Sequence, residues 1–219
     1  MDREIDLLVN YPKAARDLST RADNKTEADR QIARRFGREF FDGDRRHGYG
    51  GFAYSPRFWQ PVVPTFQQHW DLKAGDSVLD VGCAKGFMVH DFQTVIHGLK
   101  ITGVDVSDYA ITNSLETVRP FLQVANAKEL PFVDGSFDYV ISINTVHNLA
   151  IDDCTRALSE IERVSRRGSF ITVDAYRNEA ERKRMEDWNL TALTILSVHE
   201  WVEVFKDAGY SGDYFWFIP

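Results

Sequence analysis

The stretch VLDVGCAKGF, residues 78–87, decides the fold of this chain. A short run of strand character contains Asp80 and leads into two glycines, Gly82 and Gly86, after which Phe87 opens a segment of helical pattern. Glycine adopts backbone angles that other residues avoid, and it lets a ligand touch the main chain. A helix that begins near Lys85 would point free N–H groups at such a ligand. The stretch therefore predicts a ligand-binding turn between a strand and a helix.

The chain from Ser77 onward repeats this pattern of a short apolar run followed by a helical segment or a turn. The runs are SVLDV (77–81), KITGVDV (100–106), FLQVA (121–125), FDYVISI (137–143) and SFITVDA (169–175). Alternation of this kind favours parallel strands joined by right-handed crossovers. We predict an α/β fold: a doubly wound, mostly parallel Rossmann-like sheet with helices on both faces and an N-terminal helical and loop cap. Ligands of such sheets bind beyond the carboxyl ends of the strands.

The composition limits the range of functions. The chain has 219 residues, of which 43% are apolar, enough for one hydrophobic core. Its net charge of −7 argues against binding to nucleic acid or to an anionic membrane, so a small molecule is the expected partner. The two cysteines, Cys83 and Cys154, match no metal or redox spacing. The first residues are charged and their apolar run is short, so we expect neither a signal peptide nor a membrane span there. We expect a cytoplasmic protein.

Two regions differ in character within this one structural unit. Residues 1–70 are predicted to form a helical extension and a lid over the active site, and residues 71–219 the cofactor-binding domain. In the first region, Thr26 and Asp29 can cap a helix on which Ile32, Phe36 and Phe40 form one apolar stripe.

A second acidic residue supports a nucleoside ligand. The second predicted strand ends at Asp105, where a carboxylate can accept hydrogen bonds from both hydroxyls of a ribose. The glycine spacing is D-x-G-x-x-x-G, whereas a dinucleotide fingerprint requires G-x-G-x-x-G. A nicotinamide oxidoreductase is therefore disfavoured.

At this point the sequence resembles the class I S-adenosylmethionine-dependent methyltransferases, whose first motif has the form D/E-x-G-x-G-x-G after a strand. Further signs are GVDVSDYAI (103–111), VANAKELPFVDGSFDYVIS (124–142) and SVHEWVEVFKDAGY (197–210). The resemblance implies an enzyme that uses S-adenosylmethionine and releases S-adenosylhomocysteine. Relatives usually end in a hairpin of two strands, of which DYFWFI (213–218) supplies one.

The resemblance also implies which residues hold this cofactor. Asp80, Gly82 and the backbone of Cys83, Ala84 and Gly86 would cradle the methionine part. Asp105 would hold the ribose, and Val106 with Asn126 and Ala127 would contact the adenine. Tyr49 and Asn144 would lie beside the sulfonium end of the cofactor, where the methyl group is transferred. Ala84 stands where the family usually has a glycine, which predicts a slightly wider loop.

Three segments carry candidates for the chemistry. The first is FDGDRRHGYGGFAYSP (41–56), a loop rich in glycine and aromatic residues that suits a lid. Its His47 and Tyr49 are candidate catalytic residues, and Arg45, Arg46 and Tyr54 are candidate substrate ligands. The alternative is a structural loop whose Asp and Gly residues only make turns.

The second segment is SINTVHNL (142–149), after the fourth strand. Asn144 would lie beside the transferring methyl group, and His147 could act as a general base at neutral pH. The alternative for His147 is a hydrogen-bonded structural residue.

The third segment is VDAYR (173–177), after the fifth strand. Asp174, Tyr176, Arg177 and the later Trp188 are predicted to contact the acceptor substrate. The remaining histidines have no partner at metal-ligand spacing, so no metal is predicted.

The leading hypothesis is methyl transfer from S-adenosylmethionine to an oxygen or nitrogen atom of a polar small molecule, such as a sugar derivative, an amino-acid derivative or a natural-product intermediate. One alternative is an RNA or protein methyltransferase, which the acidic composition disfavours. The other is a nucleoside-binding partner subunit without catalysis. The expected assembly is a monomer or a homodimer, and the sequence leaves the acceptor, the methylated atom and the base open.

Overall fold

The computed structural model describes residues 3–12, 25–49 and 53–219. Its centre is a seven-stranded sheet: β1 (Ser77–Val81), β2 (Lys100–Asp105), β3 (Leu122–Val124), β4 (Phe137–Ile143), β5 (Ser165–Tyr176), β6 (Leu196–Ser197) and β7 (Asp213–Phe217). The order is β3-β2-β1-β4-β5, and both β6 and β7 pair with β5. Each of these pairings is parallel. The predicted doubly wound sheet is confirmed, and its five predicted runs are its first five strands.

Nine α-helices surround the sheet in the described part of the chain. They are α1 (Glu27–Ala33), α2 (Arg38–Asp42), α3 (Pro56–Trp59), α4 (Val63–Trp70), α5 (Phe87–Val95), α6 (Asp108–Thr112), α7 (Ile151–Val164), α8 (Glu179–Trp188) and α9 (Val198–Asp207). Helices α4 and α5 pack with Val78 and Ile141 in one core cluster. Helices α7 and α9 pack with Leu79 and Val140 in another. Successive strand residues thus enter different clusters, as expected for a sheet covered on both faces.

The N-terminal helical pattern is broken, and the predicted single stripe of Ile32, Phe36 and Phe40 is wrong. The predicted cap is present, because the Thr26 side chain accepts from Asp29 N and the Asp29 side chain accepts from Thr26 N. However, α1 ends at Ala33, and Phe36 has a left-handed φ of 47°. An aromatic residue in this conformation cannot continue an α-helix. The chain therefore turns at Phe36 and starts α2 in a new direction.

Phe40 and Phe41 of α2 nevertheless pack this N-terminal region against the domain that contains the sheet. They are buried in a cluster with Ala33, Ala110 of α6 and Leu190. Ala84 of the glycine loop packs against the same cluster. The described N-terminal helices thus lie beside the carboxyl edge of the sheet, where the loops after β1 and β2 emerge.

The last strand differs from the two-strand hairpin of the relatives. Strand β7 lies parallel to β5, with Phe170 opposite Asp213 and Asp174 opposite Phe217. On its other side, Tyr214 N donates to Arg3 O at 3.1 Å and Tyr214 O accepts from Ile5 N at 2.9 Å. A piece of the N-terminal segment therefore covers part of the edge of β7. Among the described residues, no helix combines the length and the apolar character that crossing a bilayer requires.

Candidate functional site

A cavity of about 1390 Å³ lies at the carboxyl ends of the strands. Its lining includes Asp80 after β1, Asp105 after β2, Asn144 after β4 and Asp174 in β5. The strand order reverses between β1 and β4, because β2 and β3 continue on one side of β1 and β5 on the other. A cavity at this reversal is the expected ligand site of a doubly wound sheet.

The loop after β1 is shaped by three residues with left-handed backbone angles. Gly82 has φ 87°, Ala84 has φ 49° and Gly86 has φ 75°. The N–H groups of Gly82 and Cys83 both donate to Val104 O, at 2.7 and 3.0 Å, which ties the loop to β2. A Cβ atom on Gly82 would overlap the side chain of Thr145, so that position requires glycine. The helix starts at Phe87, the residue at which the helical pattern of the sequence opens.

Asp105 is at the same time a cavity residue and a support for this loop. Its Oδ2 accepts from Ala84 N and its Oδ1 from Ser107 N, both at 2.8 Å. Burial raises the pKa of the Asp105 carboxyl despite these hydrogen bonds. The adjacent Val106 side chain lines the cavity although 53% of its surface is exposed. A carboxylate oxygen has further lone pairs, so both oxygens can still accept from a ligand hydroxyl.

Asp80 is a buried acid without a donor. Its exposed fraction is 3%, and among the described residues no group donates a hydrogen bond to its carboxylate. Burial, with a contribution from the charge of Asp105, raises the pKa of Asp80 to about 8. A buried carboxyl that faces a cavity without a partner fits a cationic group.

These two acids fit S-adenosylmethionine, which has two ribose hydroxyls for Asp105 and positive charge at its methionine end for Asp80. Asn126 and Ala127 also line the cavity, on the side of Val106. The Asn126 side-chain oxygen accepts from Lys128 N at 3.2 Å, which holds the amide in place.

The loop after β4 is held by Thr172 of β5. Asn144 has a left-handed φ of 51°, its N–H donates to Thr172 Oγ1 at 2.9 Å, and its side-chain oxygen accepts from the Thr172 hydroxyl at 2.9 Å. A non-glycine residue in this conformation is strained, and strain of this kind concentrates at functional sites. Asn144 lines the cavity between the glycine loop and β5.

His147 lines the cavity but is placed as a neutral, structural ring. Only 4% of its surface is exposed, and burial lowers its pKa to about 3. Its Nδ1 accepts from Asp174 N at 3.0 Å, which assigns the ring proton to Nε2. The Nε2 atom lies 3.6 Å from Asp174 Oδ1. Neither nitrogen is then available as a base, and the geometry favours the structural alternative.

Asp174 lies between this ring and the cap. It is 3% exposed and lines the cavity. Burial, and second the charge of Asp174, raise the pKa of Tyr49, so the carboxylate of Asp174 is near the Tyr49 ring. Tyr49 stacks on Trp188 with ring centroids 5.4 Å apart, and its hydroxyl accepts from Leu190 N at 3.0 Å. Tyr49, Asp174 and Trp188, all predicted site residues, are thus brought together.

The arginines predicted to bind substrate also reach the cavity. Arg45, Arg46 and Arg177 are among its lining residues. Arg46 pairs with Asp44 at 3.4 Å, and Arg177 lies 3.6 Å from Glu4 and 4.0 Å from Glu181. The charges of Arg46 and Arg177 are therefore partly compensated.

Four predicted site residues do not line the cavity: Gly86, which directly precedes α5, and the three residues His47, Tyr54 and Tyr176. The His47 ring contacts Asp29 Oδ1 at 3.0 Å, the Tyr54 hydroxyl donates to Asp91 on α5 at 2.8 Å, and Tyr176 packs under the guanidinium of Arg182. Each side chain is turned away by a polar partner outside the site. Placing these three residues at the site is thus corrected.

Other residues of the site were missed. Lys85 pairs with Asp42 at 2.6 Å, which links the glycine loop to α2. Thr172 fixes Asn144, and the aromatic side chains Phe58, Trp59 and Phe217 line the cavity. The only sequence signal for these aromatic residues was their density. Within the described ranges, no cluster of His, Cys, Asp or Glu could hold a metal ion.

Comparison with known proteins agrees with this geometry. Residues 79–173 match the family model described as methyltransferase domain. O-methyltransferase resE of Aspergillus sclerotiorum is 36% identical over 107 residues, which are 46% of this chain and 39% of that protein. The 27-O-demethylrifamycin SV methyltransferase of Amycolatopsis mediterranei is 26% identical over 152 residues, or 63% and 55% of the two chains. The chain thus matches about half or less of the length of these relatives.

The fold is also found in a solved structure, that of the [4+2]-cyclase SpnF. The TM-score is 0.56 at 20% sequence identity, and the match covers 77% of this chain and 62% of that one. This likeness concerns the fold alone. The sequence match goes further: residues 79–173 of this chain match a methyltransferase domain, and the geometry of the site agrees with that match.

Proposed function

We propose that this chain transfers a methyl group from S-adenosylmethionine to an oxygen or nitrogen atom of a polar small molecule. The observation that carries the proposal is the pair of acids, the buried Asp80 and the half-buried Asp105, that line a cavity of about 1390 Å³. Single-ligand pockets usually measure roughly 300–1,000 Å³. The remaining space, over the ends of β5 and β7, is where we place the acceptor.

The cofactor would be held by the residues around the glycine loop. Asp105 would bind the ribose, Val106 with Asn126 and Ala127 would contact the adenine, and Asp80 would face the cationic methionine end. When bound, S-adenosylmethionine supplies an electrophilic methyl group on its sulfonium. Gly82, Cys83, Ala84 and Gly86 would support it through the main chain.

The chain must also align the acceptor and remove a proton from it. Asn144, fixed by Thr172, would position the acceptor atom. We assign the proton to the Asp174 carboxylate rather than to His147, because both ring nitrogens of His147 are committed. His147 then acts as a positioning residue that holds the backbone and faces the carboxylate of Asp174.

Two names favour oxygen as the methylated atom: one relative is called an O-methyltransferase, and the other is the 27-O-demethylrifamycin SV methyltransferase. Arg45, Arg46 and Arg177 favour a polar acceptor. An RNA or protein substrate remains disfavoured by the net charge of −7. A partner subunit without catalysis would also bind the cofactor, so turnover is required to separate it from an enzyme.

The helices before residue 70 are proposed to act as the lid, since Phe36, Phe40, Phe41 and Tyr49 line the cavity from that side. The cytoplasmic location and the monomeric or homodimeric state stay predictions.

The first experiment is calorimetric titration of the full chain with S-adenosylhomocysteine and, separately, with NAD. We expect micromolar or tighter binding of the former only, and loss of that binding in Asp105→Ala but not in Asp207→Ala, an exposed acid on α9. A preference for NAD would overturn the proposal. A screen with S-adenosylmethionine and mixed polar acceptors, read by mass spectrometry, then tests for methyl transfer, and binding without any turnover would favour the partner-subunit alternative.

A further inference from the structure

We propose that the acceptor is an aromatic compound that carries an anionic group. This inference rests on the proposed function, because it assigns the part of the cavity left beside the cofactor. The relevant space lies over β5 and β7, beyond Asn144. Besides polar residues such as Asp174 and Thr191, its lining includes several aromatic side chains.

The first wall, called here the aromatic wall, consists of Tyr49, Trp188 and Phe217. Trp188 stacks on Tyr49 with an interplanar angle of 29° and lies 6.0 Å from Phe217 between ring centroids. The Tyr49 hydroxyl accepts a hydrogen bond from the main-chain N–H of Leu190 at 3.0 Å, so it already has a partner within the protein. Such a wall offers π faces and few hydrogen bonds, which suits a planar ring better than a polyhydroxylated sugar.

A second group of rings lies on the α3 side of the same cavity. Tyr11 stands 5.7 Å from Phe58 and 5.0 Å from Trp59 between ring centroids. The Arg57 guanidinium lies 4.7 Å from the centroid of the Phe58 ring. Cationic and aromatic side chains therefore occur together at this end, an arrangement that binds a ring with a negative substituent.

The arginines of the cavity differ in how their charge is compensated. Arg46 and Arg177 have carboxylate partners. Within the described ranges, neither Arg45 nor Arg57 lies within ion-pair distance of a carboxylate, although both line the cavity. Two guanidinium groups without an internal counter-charge favour an anionic group on the ligand.

The hydroxyl to be methylated would then face Asp174. In the transfer, the acceptor oxygen forms a bond to the methyl carbon while the bond from that carbon to sulfur breaks. The electron pair of the broken bond stays on sulfur, and the hydroxyl proton moves to the Asp174 carboxylate. Charge and atoms balance without a further reactant.

The test compares three probes on the full chain saturated with S-adenosylhomocysteine, with affinities measured by calorimetry or saturation-transfer NMR. The probes are 4-hydroxybenzoate, trans-4-hydroxycyclohexanecarboxylate, which has the same substituents on a saturated ring, and 4-hydroxybenzyl alcohol, which lacks the charge. We expect 4-hydroxybenzoate to bind about five- to tenfold more tightly than either analogue. Equal or tighter binding of the saturated acid, or no binding of 4-hydroxybenzoate, would overturn the inference.

Variants separate this inference from the proposed function. Trp188→Leu should lose most of the preference for the aromatic ring while S-adenosylhomocysteine still binds, and Trp188→Phe should keep that preference. The double variant Arg45→Gln, Arg57→Gln should bind the acid and the alcohol equally. Tyr176→Leu, which removes an aromatic residue outside the cavity, is the matched control. If the unmodified chain did not bind S-adenosylhomocysteine at all, that result would instead count against the proposed function.

Discussion

Asp105 Oδ2 accepts a hydrogen bond from the main-chain N–H of Ala84 at 2.8 Å. The acid at the end of β2 therefore holds the glycine loop after β1 in shape, and it faces the cavity through the same carboxylate. Binding of a ribose and the conformation of the loop are coupled through this one side chain. The coupling explains how the loop keeps its left-handed turn although Ala84 replaces a glycine.

Asp105→Asn should weaken the binding of S-adenosylhomocysteine about 10- to 100-fold. The amide can accept on only one atom, so the N–H of either Ala84 or Ser107 loses its acceptor, and the charge-assisted bond to the ribose is lost as well. Calorimetry measures the affinity, and thermal unfolding verifies that the variant is folded. Asp108→Asn, an exposed acid at the start of α6, should bind as the wild type does. An unchanged affinity in Asp105→Asn would remove Asp105 from the site.

The affinity for S-adenosylhomocysteine should rise with pH between about 6 and 8. The pKa of Asp80 is about 8 in the free protein, so the carboxyl is mostly protonated below that value. A cationic ligand group stabilises the carboxylate and lowers this pKa, so binding at pH 7 releases a proton. Calorimetry in two buffers of different ionisation enthalpy measures that proton, and Asp80→Asn should release none. A pH-independent affinity of the wild type would show that Asp80 does not face the charge.

The Asp80 carboxyl should also make the stability of the ligand-free protein depend on pH. The pKa of Asp80 is higher in the folded than in the unfolded chain, so the folded state binds more protons between about pH 4 and 8 and loses stability as pH rises through that range. Asp80→Asn removes this loss. We expect the free energy of unfolding of the variant to exceed that of the wild type at pH 8 by on the order of 2 kcal/mol, and by less at pH 5. Urea unfolding measures both values, and Asp207→Asn should show no such trend.

His147 should remain neutral, with its proton on Nε2, from pH 5 to 9. Burial places its pKa at about 3, and the bond from Asp174 N occupies Nδ1. Long-range ¹H–¹⁵N NMR spectra report both the tautomer and any titration of the ring, and the spectrum of His147→Gln assigns the signal. A ring that titrates near neutral pH, or that carries its proton on Nδ1, would restore His147 as a candidate base.

The ion pair between Lys85 and Asp42 should stabilise the contact between the glycine loop and α2. The atoms are 2.6 Å apart, the Lys85 side chain is 9% exposed, and the Tyr109 hydroxyl donates to the same carboxylate at 2.7 Å. Asp42→Asn should lower the free energy of unfolding by about 1–2 kcal/mol, and Tyr109→Phe by about 1 kcal/mol. A double-mutant cycle with Lys85→Met measures the coupling, with Glu39→Gln as the control. A coupling free energy of zero would mean that the Lys85–Asp42 ion pair does not stabilise the contact between the glycine loop and α2.

The parts of this fold that the sequence predicted are those with a local physical signal. Runs of β-branched residues marked β1 to β5, and the acids and glycines from Asp80 to Asp105 marked the loops beyond them. The turn at Phe36 had no such signal, because a four-residue apolar spacing does not show whether one residue adopts a left-handed angle.

The placement of individual side chains was the least predictable feature. Tyr54 was assigned to substrate binding, but its partner is Asp91, a buried acid on a helix far along the chain. Tyr176 follows Asp174 by two residues, yet it packs against Arg182 while Asp174 faces the cavity. Such choices depend on partners that are distant in sequence, whereas the short-range pattern fixes only the strand on which a residue lies.

The parallel orientation of β7 affects how this sheet can assemble. With all named strand pairs parallel, no hairpin joins two of them in the described chain. Even Gly103 and Leu122, partners in β2 and β3, are separated by a helix and a turn. Each pairing must therefore close a long loop before it gains any hydrogen bond, and folding rates fall as contacts become less local. The protein should fold slowly for its size, with unpaired strand edges exposed to aggregation until β7 docks on β5.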